Sequence, residues 1–264
     1  MRSTTAPTPG PASARRATPV LKPPARIAAD ASAFPEVAPT SERSWLEVVA
    51  GLPLLELPAL TAVTIVSPHP DDETLAAGGL IFALRSLGVA VQVLAVTDGE
   101  GSHPGHPALA AVRCAEQSEA LDRLGVDTAP VRLGFADGAV AAGEAGLVDA
   151  IERHSSNAEL IVAPWKGDGH TDHGACGRAA LEAARRTGAD VLAYPVWAWQ
   201  WAHPADLAVL PMRRHELDEG AHEAKLSAMR CYPSQTTGAF GAVILDEGVL
   251  ARFRRRSEVF VDAR

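Results

Sequence analysis

From Thr61 onward the chain alternates between two kinds of segment, and this alternation limits the folds that it can adopt. Short runs rich in β-branched residues, typical of strands, read TAVTIVSP, VAVQVLAVTD, APVRLGF, ELIVAPW and DVLAYPVWAW. Between them lie segments with helical spacing and good helix formers, over residues 74–87, 107–124, 144–154 and 174–187. Repeated strand–helix units predict a Rossmann-like α/β fold, a mostly parallel sheet with helices on both faces.

The first 42 residues differ in composition from the rest of the chain. They are dominated by Pro, Ala, Ser and Thr with scattered Arg, and such a stretch buries too little apolar surface to offset the entropy of ordering it. We therefore predict a disordered tail over residues 1–42 and one folded domain over residues 43–264.

Charge and hydropathy exclude two classes of partner. The formal net charge of −8 and the sequence pI of about 5.6 argue against nucleic acid as the main partner. No stretch has the roughly 18 continuous apolar residues of a membrane-spanning helix, and the N-terminus lacks the apolar segment of a signal peptide. We expect no membrane span and a cytoplasmic location.

Two loops that follow predicted strands are dense in imidazole and carboxylate. The loop after the first strand reads SPHPDDET over residues 67–74, and the loop after the fourth reads KGDGHTDH over residues 166–173. Ligands of a parallel α/β sheet bind beyond the carboxyl ends of its strands, so both loops are expected at one crevice. Two His and one carboxylate with an open fourth position form a known arrangement for hydrolytic zinc, which accepts imidazole better than magnesium or calcium does.

The spacing within the two loops limits the role of each side chain. Asp71 and Asp72 are adjacent at a strand-to-helix junction and diverge, whereas His69 and Asp72 can converge on one ion. That leaves Asp71 beside the metal, where a general base for a metal-bound water belongs. His170 and His173 are also three apart, so if the metal takes one of them, the other can donate a hydrogen bond to a developing oxyanion.

Each loop taken alone has a plainer interpretation. An acidic pair before a helix usually caps that helix, and an H-x-x-H string in a loop usually lies at the surface. The occurrence of both at strand ends of the same α/β pattern favours a metal site over these interpretations.

The string P-H-P-D-D-E, followed later by G-H-x-D-H, resembles the PIG-L/LmbE-like family of N-acetylglucosaminyl deacetylases. Further similar elements follow in the same order, namely T-D-G-E-G at 97–101, R-x-x-E-x-x-x-A-x-x-x-L-G at 113–125, L-G-F-A-D-G at 133–138 and K-x-x-A-x-x-x-Y-x-S-Q at 225–235. The resemblance implies a zinc-dependent hydrolase that removes an N-acetyl or other N-acyl group from an amino-sugar-containing small molecule. Sites of this kind often accept other divalent transition metals.

The resemblance also implies a role for each motif residue. His69, Asp72 and His173 would bind zinc, Asp71 would be the general base that activates the metal-bound water, and His170 would stabilise the tetrahedral intermediate.

Three further residues are assigned around this centre. The resemblance implies that Arg113 and Asp137 bind substrate, with Arg113 reaching a sugar hydroxyl and Asp137 helping to order the site. Asp172, next to His173, is a candidate partner for the second nitrogen of that imidazole, since ligating imidazoles usually donate their other N–H to a carboxylate or carbonyl.

Two alternatives stay open at this point. The chain could be a deacylase of another acylated amine, such as an antibiotic or a peptide, or a non-catalytic metal- or glycan-binding module. On a strand, Trp197, Trp199 and Trp201 would share one face, as a sugar platform or, more in keeping with large aromatics, as part of the core.

Overall fold

A computed structural model describes residues 40–263, which form a seven-stranded sheet with helices packed against it. The strands are β1 (Ala62–Ser67), β2 (Ala90–Ala95), β3 (Val131–Arg132), β4 (Leu160–Pro164), β5 (Asp190–Tyr194), β6 (Met212–Glu216) and β7 (Ser257–Asp262). The helices are α1 (Glu42–Ala50), α2 (Asp72–Ser86), α3 (Leu109–Arg123), α4 (Glu144–His154), α5 (Thr171–Thr187), α6 (Ala198–Trp201), α7 (Pro204–Leu207), α8 (Glu219–Met229), α9 (Pro233–Thr236) and α10 (Glu247–Phe253).

The predicted tail lies outside the described residues, apart from residues 40–42. Helix α1 begins at Glu42, one residue before the predicted start of the domain. None of the helices between residues 40 and 263 combines the length and the apolar character that crossing a membrane requires.

The strands follow the order β3-β2-β1-β4-β5-β7-β6 across the sheet. The first five in this order are parallel, whereas β7 runs antiparallel to β5 and β6 runs antiparallel to β7. The predicted mostly parallel α/β fold is therefore confirmed, with an antiparallel edge that the sequence pattern did not predict. The chain moves outward from β1 in one direction through β2 and β3, then returns to pair β4 with β1. This reversal opens a crevice at the carboxyl ends of β1 and β4.

Helices cover both faces of the sheet because its central strands are apolar on both sides. In β1, Ile65 packs into the core beneath α2, and its neighbour Val66 packs into the core beneath α5. Every residue of β4 is buried, as expected for a parallel strand between two helical layers. The two layers fix the loops after β1 and β4, and these are the two loops that the sequence singled out.

The expected strand placement of the three tryptophans is wrong. Strand β5 ends at Tyr194, and the chain continues through Pro195 into the short helix α6. A helical turn does not keep the period-two alternation of a strand, so Trp199 does not share a face with Trp197 and Trp201. Trp199 packs edge-on against Trp45 in the core with 5.0 Å between ring centroids. Trp201 donates its indole N–H to the backbone oxygen of Asp168 at 2.8 Å, and Trp197 lines a cavity at the crevice.

Candidate active site

A cavity of about 470 Å³ opens at the carboxyl ends of β1 and β4. Six of the residues singled out by the sequence line it: His69, Asp71, Asp72, Arg113, Asp137 and His170. His173 and Asp172 lie in the first turn of α5 and are fully buried beside it. The structure thus brings all eight residues to one place.

Three donor atoms converge at the base of the cavity. Asp72 Oδ2 lies 3.1 Å from His69 Nδ1 and 3.1 Å from His173 Nε2, and the two nitrogens are 3.3 Å apart. Tetrahedral zinc with bonds of about 2.0–2.1 Å requires neighbouring donors about 3.3–3.4 Å apart. All three side chains are buried, so their lone pairs have little access to water. The donor set therefore fits a zinc ion.

A second group of potential ligands overlaps the first. His69, His170 and Asp172 also place ligand atoms within 4.8 Å of one another in the described part of the chain. Asp172, however, already accepts hydrogen bonds from the backbone N–H groups of Gly138 at 2.7 Å and Val140 at 3.1 Å. The first group is better suited to an ion because its donors lie 3.1–3.3 Å apart and all three residues are buried, whereas His170 of the second group is only half-buried.

Carboxylates contact the outer nitrogens of both imidazoles. His173 Nδ1 lies 2.8 Å from Asp168 Oδ2, while His69 Nε2 lies 3.1 Å from Asp137 and 3.3 Å from Asp172. Asp172, expected beside His173, thus contacts His69 instead, because the turn that starts α5 directs adjacent side chains apart. Such partners fix the orientation of an imidazole that binds a metal.

Sequence reasoning missed Asp168 as the partner of His173. The side chain is fully buried and also accepts hydrogen bonds from the backbone N–H groups of Val196 at 2.8 Å and Trp197 at 3.0 Å. A local signal existed, since Asp168 lies five positions before His173 in the same glycine-flanked loop. The contact with the loop after β5 depends on tertiary structure and has no signal in the sequence.

The backbone places Asp71 in an unusual conformation. Its φ of 142° makes it the only non-glycine residue with positive φ among residues 40–263. Burial raises the pKa of Asp71 to about 7, with the adjacent guanidinium of Arg113 opposing the shift. A carboxylate with a pKa in this range is well matched to proton transfer near neutral pH. Strained backbone of this kind is concentrated at functional sites.

Arg113 holds the Asp71 carboxylate. Its Nη2 donates to Asp71 Oδ2 at 2.9 Å and to the backbone oxygen of Pro70 at 2.8 Å, while Nη1 donates to the oxygen of Gly99 at 2.9 Å. A Cβ at position 99 would overlap the Arg113 guanidinium, and the backbone φ there is 71°, so both features favour the glycine of the T-D-G-E-G string. Arg113 was expected to donate hydrogen bonds to a sugar. Three of its five N–H groups instead donate to Asp71, Pro70 and Gly99 of the protein.

His170 lies above the proposed metal ligands, with its ring centroid 4.8 Å from that of His69 and 5.0 Å from that of His173. Its Nδ1 accepts a hydrogen bond from the backbone N–H of Asp172 at 3.2 Å. Burial, with the charges of His69 and His173, lowers the pKa of His170 to about 3. A neutral imidazole whose Nδ1 is an acceptor carries its proton on Nε2, which is then the donor.

Comparison with known proteins places this site in a family. The model of the family described as GlcNAc-PI de-N-acetylase, PIG-L, matches residues 64–184. The chain is 34% identical over 135 residues to the probable N-acetyl-alpha-D-glucosaminyl L-malate deacetylase 2 of Bacillus cereus, covering 47% of this chain and 61% of that protein. It is 30% identical over 229 residues to the 1D-myo-inositol 2-acetamido-2-deoxy-alpha-D-glucopyranoside deacetylase of Mycolicibacterium gilvum, covering 66% of this chain and 80% of that protein.

A solved structure is similar over most of the domain. The conserved protein TT1542 from Thermus thermophilus superimposes with a TM-score of 0.58 at 26% identity, covering 78% of this chain and 96% of that one. Against the first of the curated relatives the match is shorter, since the chain spans 61% of the length of that protein. Fold, motifs and similarity agree, and the chain belongs to the PIG-L/LmbE-like family.

Proposed function

We propose that this protein is a zinc-dependent hydrolase that removes an N-acetyl or other N-acyl group from an amino-sugar-containing small molecule. The observation that carries the proposal is the convergence of His69 Nδ1, Asp72 Oδ2 and His173 Nε2 next to the buried carboxylate of Asp71. The names of the two curated relatives, both deacetylases of glucosamine derivatives, support the same reaction.

The proposed metal site consists of His69, Asp72 and His173. A zinc ion bound there would act as a Lewis acid and would lower the pKa of a coordinated water from 15.7 toward about 7. The mixed imidazole and carboxylate donors also suit iron, cobalt or manganese.

The remaining residues of the site would supply proton transfer and charge stabilisation. Asp71 accepts a proton from water as the water oxygen bonds to the acyl carbon, and it returns that proton to the nitrogen as the C–N bond breaks. The products are a free amine and a carboxylic acid, and the acid then loses its proton at neutral pH. His170 donates its Nε2–H to the oxyanion that develops on the acyl oxygen, a contribution of about 3–4 kcal/mol to lowering the barrier. Arg113 keeps the Asp71 carboxylate in place.

Amine release from N-acetylglucosamine conjugates tests the proposal. Wild-type protein should release amine, chelator-treated protein should not, and added zinc should restore activity. Asp71→Ala and Asp71→Asn should each retain one bound zinc and lose activity, while Asp127→Ala, an exposed carboxylate, serves as the control.

Two results would oppose the proposal. Full activity in Asp71→Asn would exclude the assigned base. If zinc is bound but no conjugate is hydrolysed, the amino-sugar assignment fails, and N-acylated antibiotics and peptides become the substrates to screen.

The cytoplasmic location expected from the sequence stays a prediction, which cell fractionation would test.

A further inference from the structure

The cavity has an apolar side that the proposed chemistry does not use. Six apolar residues also line it, and these are here called its apolar side: Leu75, Val196, Trp197, Ala242, Ile244 and Leu245. The volume of about 470 Å³ is in the range of sites that enclose a drug-sized molecule, so there is space for a sugar and the group attached to it. This second group, the aglycone, is therefore expected to contact the apolar side.

Part of this side is an exposed loop with no polar side chain. Residues 239–245, here called the apolar loop, read AFGAVIL and lie between α9 and α10. Val243 is 43% exposed, and Ala242 and Ile244 line the mouth of the cavity. Contiguous apolar surface that is left in contact with water commonly marks a binding site.

Hydrogen bonds from the rest of the fold hold the apolar loop in place. The backbone oxygen of Gln235 accepts from the N–H groups of Ile244 at 3.1 Å and Leu245 at 3.0 Å, and His103 Nε2 lies 2.7 Å from the oxygen of Ala242. Three backbone groups of the loop are thus partnered within the protein, while Ala242, Ile244 and Leu245 line the cavity. A loop that is fixed in this way loses little entropy when a ligand contacts it.

The charge of the cavity disfavours an anionic aglycone. Within residues 40–263, Arg113 is the one Lys or Arg side chain that lines the cavity, and it is bound to Asp71 and to backbone oxygens. Three carboxylates, those of Asp71, Asp72 and Asp137, line the same space. The proposed zinc ion would be engaged by its ligands and by the acyl group, so a carboxylate or phosphate on the aglycone would lose its hydration without a Lys or Arg side chain to pair with.

We propose that the cavity selects N-acylated amino sugars whose aglycone is uncharged and apolar, and that this aglycone packs on Trp197 and the apolar loop. The inference rests on the proposed function for the sugar and the reaction, but the preference for the aglycone stands on the lining of the cavity.

Three N-acetylglucosaminides separate the effect of the apolar area of the aglycone from the effect of its charge. Methyl, phenyl and 4-carboxyphenyl glycosides, prepared in both anomeric series, are compared by kcat/KM for amine release with zinc-loaded protein. One methylene group in an apolar pocket already changes kcat/KM by about 10–200-fold, so the phenyl glycoside should exceed the methyl glycoside by at least about tenfold. The 4-carboxyphenyl glycoside should fall at least about tenfold below the phenyl glycoside.

Variants connect this preference to the apolar loop. Ile244→Ser should lower the phenyl-to-methyl ratio of kcat/KM about tenfold, because the phenyl glycoside loses more apolar contact than the methyl glycoside does. Leu87→Ser is the matched control, since Leu87 is 81% exposed. It lies between α2 and the amino end of β2, whereas the cavity lies at the carboxyl ends of the strands. Titration calorimetry of the three glycosides with Asp71→Asn, which should not turn them over, gives the same comparison as binding constants.

The outcomes are distinguishable. Equal kcat/KM for phenyl and methyl glycosides, or a carboxyphenyl glycoside as good as the phenyl one, would overturn the inference and leave the deacetylase intact. If Ile244→Ser weakens binding to neutral phospholipid vesicles but not the phenyl preference, the apolar loop contacts lipid and the inference fails. If no glycoside releases amine but calorimetry shows the phenyl preference, the aglycone assignment stands and the proposed reaction fails.

Discussion

Asp168 is a buried carboxylate that joins two loops of the site through its two oxygens. Oδ2 lies 2.8 Å from His173 Nδ1 and accepts from the N–H of Trp197 at 3.0 Å. Oδ1 accepts from the N–H groups of Val196 at 2.8 Å and Ala198 at 2.9 Å. One side chain thus orients a proposed metal ligand and also fixes the loop that lines the apolar side of the cavity.

We expect Asp168→Asn to weaken zinc binding. Asparagine preserves the volume but turns an accepting oxygen into an NH2 group that faces an N–H donor. Loss of such a partner typically lowers metal affinity about 10–100-fold, and competition with a chromogenic chelator would measure this change. Asp190→Asn, an exposed residue at the start of β5, is the control and should keep wild-type affinity. Unchanged affinity in Asp168→Asn would show that His173 does not depend on this carboxylate.

Arg113 is expected to act by holding Asp71 more than by binding sugar. Lysine cannot reproduce the guanidinium fork that bridges Asp71, Pro70 and Gly99. In Arg113→Lys the carboxylate is misplaced, so kcat should fall about 100-fold while KM changes only a few-fold. Steady-state kinetics on an N-acetylglucosaminide give both constants.

Whether Arg113→Lys changes mainly kcat or mainly KM decides the role of Arg113. A large rise in KM at unchanged kcat would support the sugar contact that the family resemblance implies and would contradict the positioning role. Arg132→Lys is a suitable control, because Arg132 forms a half-buried ion pair with Asp98.

The charged residues of the site could be predicted from the sequence better than the hydrogen-bond partners of each imidazole. Short spacings and the rule that parallel strands end at one edge brought His69 and Asp72 together with the pair His170 and His173. The family resemblance then assigned His173 as the ligand. The pairing of Asp172 with His69, and of Asp168 with His173, depends on side-chain directions that spacing alone does not determine.

At the scale of elements, the predicted segments correspond to β1–β5 and α2–α5, and the bounds 144–154 agree with those of α4. Strands β6 and β7 were missed for a physical reason. Strand β6 reads MRRHE at the sheet edge, without the β-branched run that marks a buried strand. Lys225 on α8 is buried in a 2.7 Å ion pair with Glu258 on β7, so hydropathy assigns both residues to the surface.

Helix α1 is attached to the domain by charge as well as by packing. Its first residue, Glu42, accepts hydrogen bonds from the guanidinium of Arg255 at 2.7 and 2.9 Å and is also paired with Arg252. Both arginines are buried, and Arg255 lies 4.6 Å from the centroid of the Trp199 ring. The arginines near the C-terminus are thus part of a structural contact.

We expect Glu42→Gln to destabilise the protein in a pH-dependent way. Burial raises the pKa of Glu42, but hydrogen bonds from Arg255 and Arg252 more than offset this and hold the pKa below its usual value of 4.5. A depressed pKa gives stability that is complete above pH 4.5 and is lost as the pH falls through the folded-state pKa. At pH 7 the unfolding free energy should drop by about 1–2 kcal/mol, allowing for partial solvent screening.

Urea unfolding at pH 7, 5 and 3.5 would measure this difference between the wild type and Glu42→Gln, since urea does not screen the ion pair. The difference should shrink at pH 3.5, because below the usual pKa of 4.5 the carboxyl of the unfolded chain takes up a proton and the charge then favours the folded state less. Glu47→Gln on the same helix is the control, since the side chain of Glu47 is 70% exposed. A difference that is the same at all three pH values would rule out the carboxylate charge as its source.

At the scale of the whole molecule, the site lies between the two halves of the sheet, which meet where β1 pairs with β4. His69 and Asp72 follow β1, from which the chain proceeds to β2 and β3, and His173 follows β4, from which it proceeds to β5. Two layers of helices hold these strands from opposite faces. An ion bound by all three side chains would therefore cross-link the two halves of the fold, and its binding energy would add to the stability of the folded state.

This coupling predicts that removing the metal lowers the unfolding temperature. Free zinc at about 100 times its Kd stabilises the folded state by about 2.7 kcal/mol. For a domain of this size that corresponds to about 5–10 °C in Tm, which scanning calorimetry with and without chelator would measure. His173→Asn should abolish the chelator-dependent part of Tm, whereas His154→Asn, at the end of α4, should retain it. A wild-type Tm that responds to neither chelator nor zinc would exclude a metal cross-link between the loops after β1 and β4.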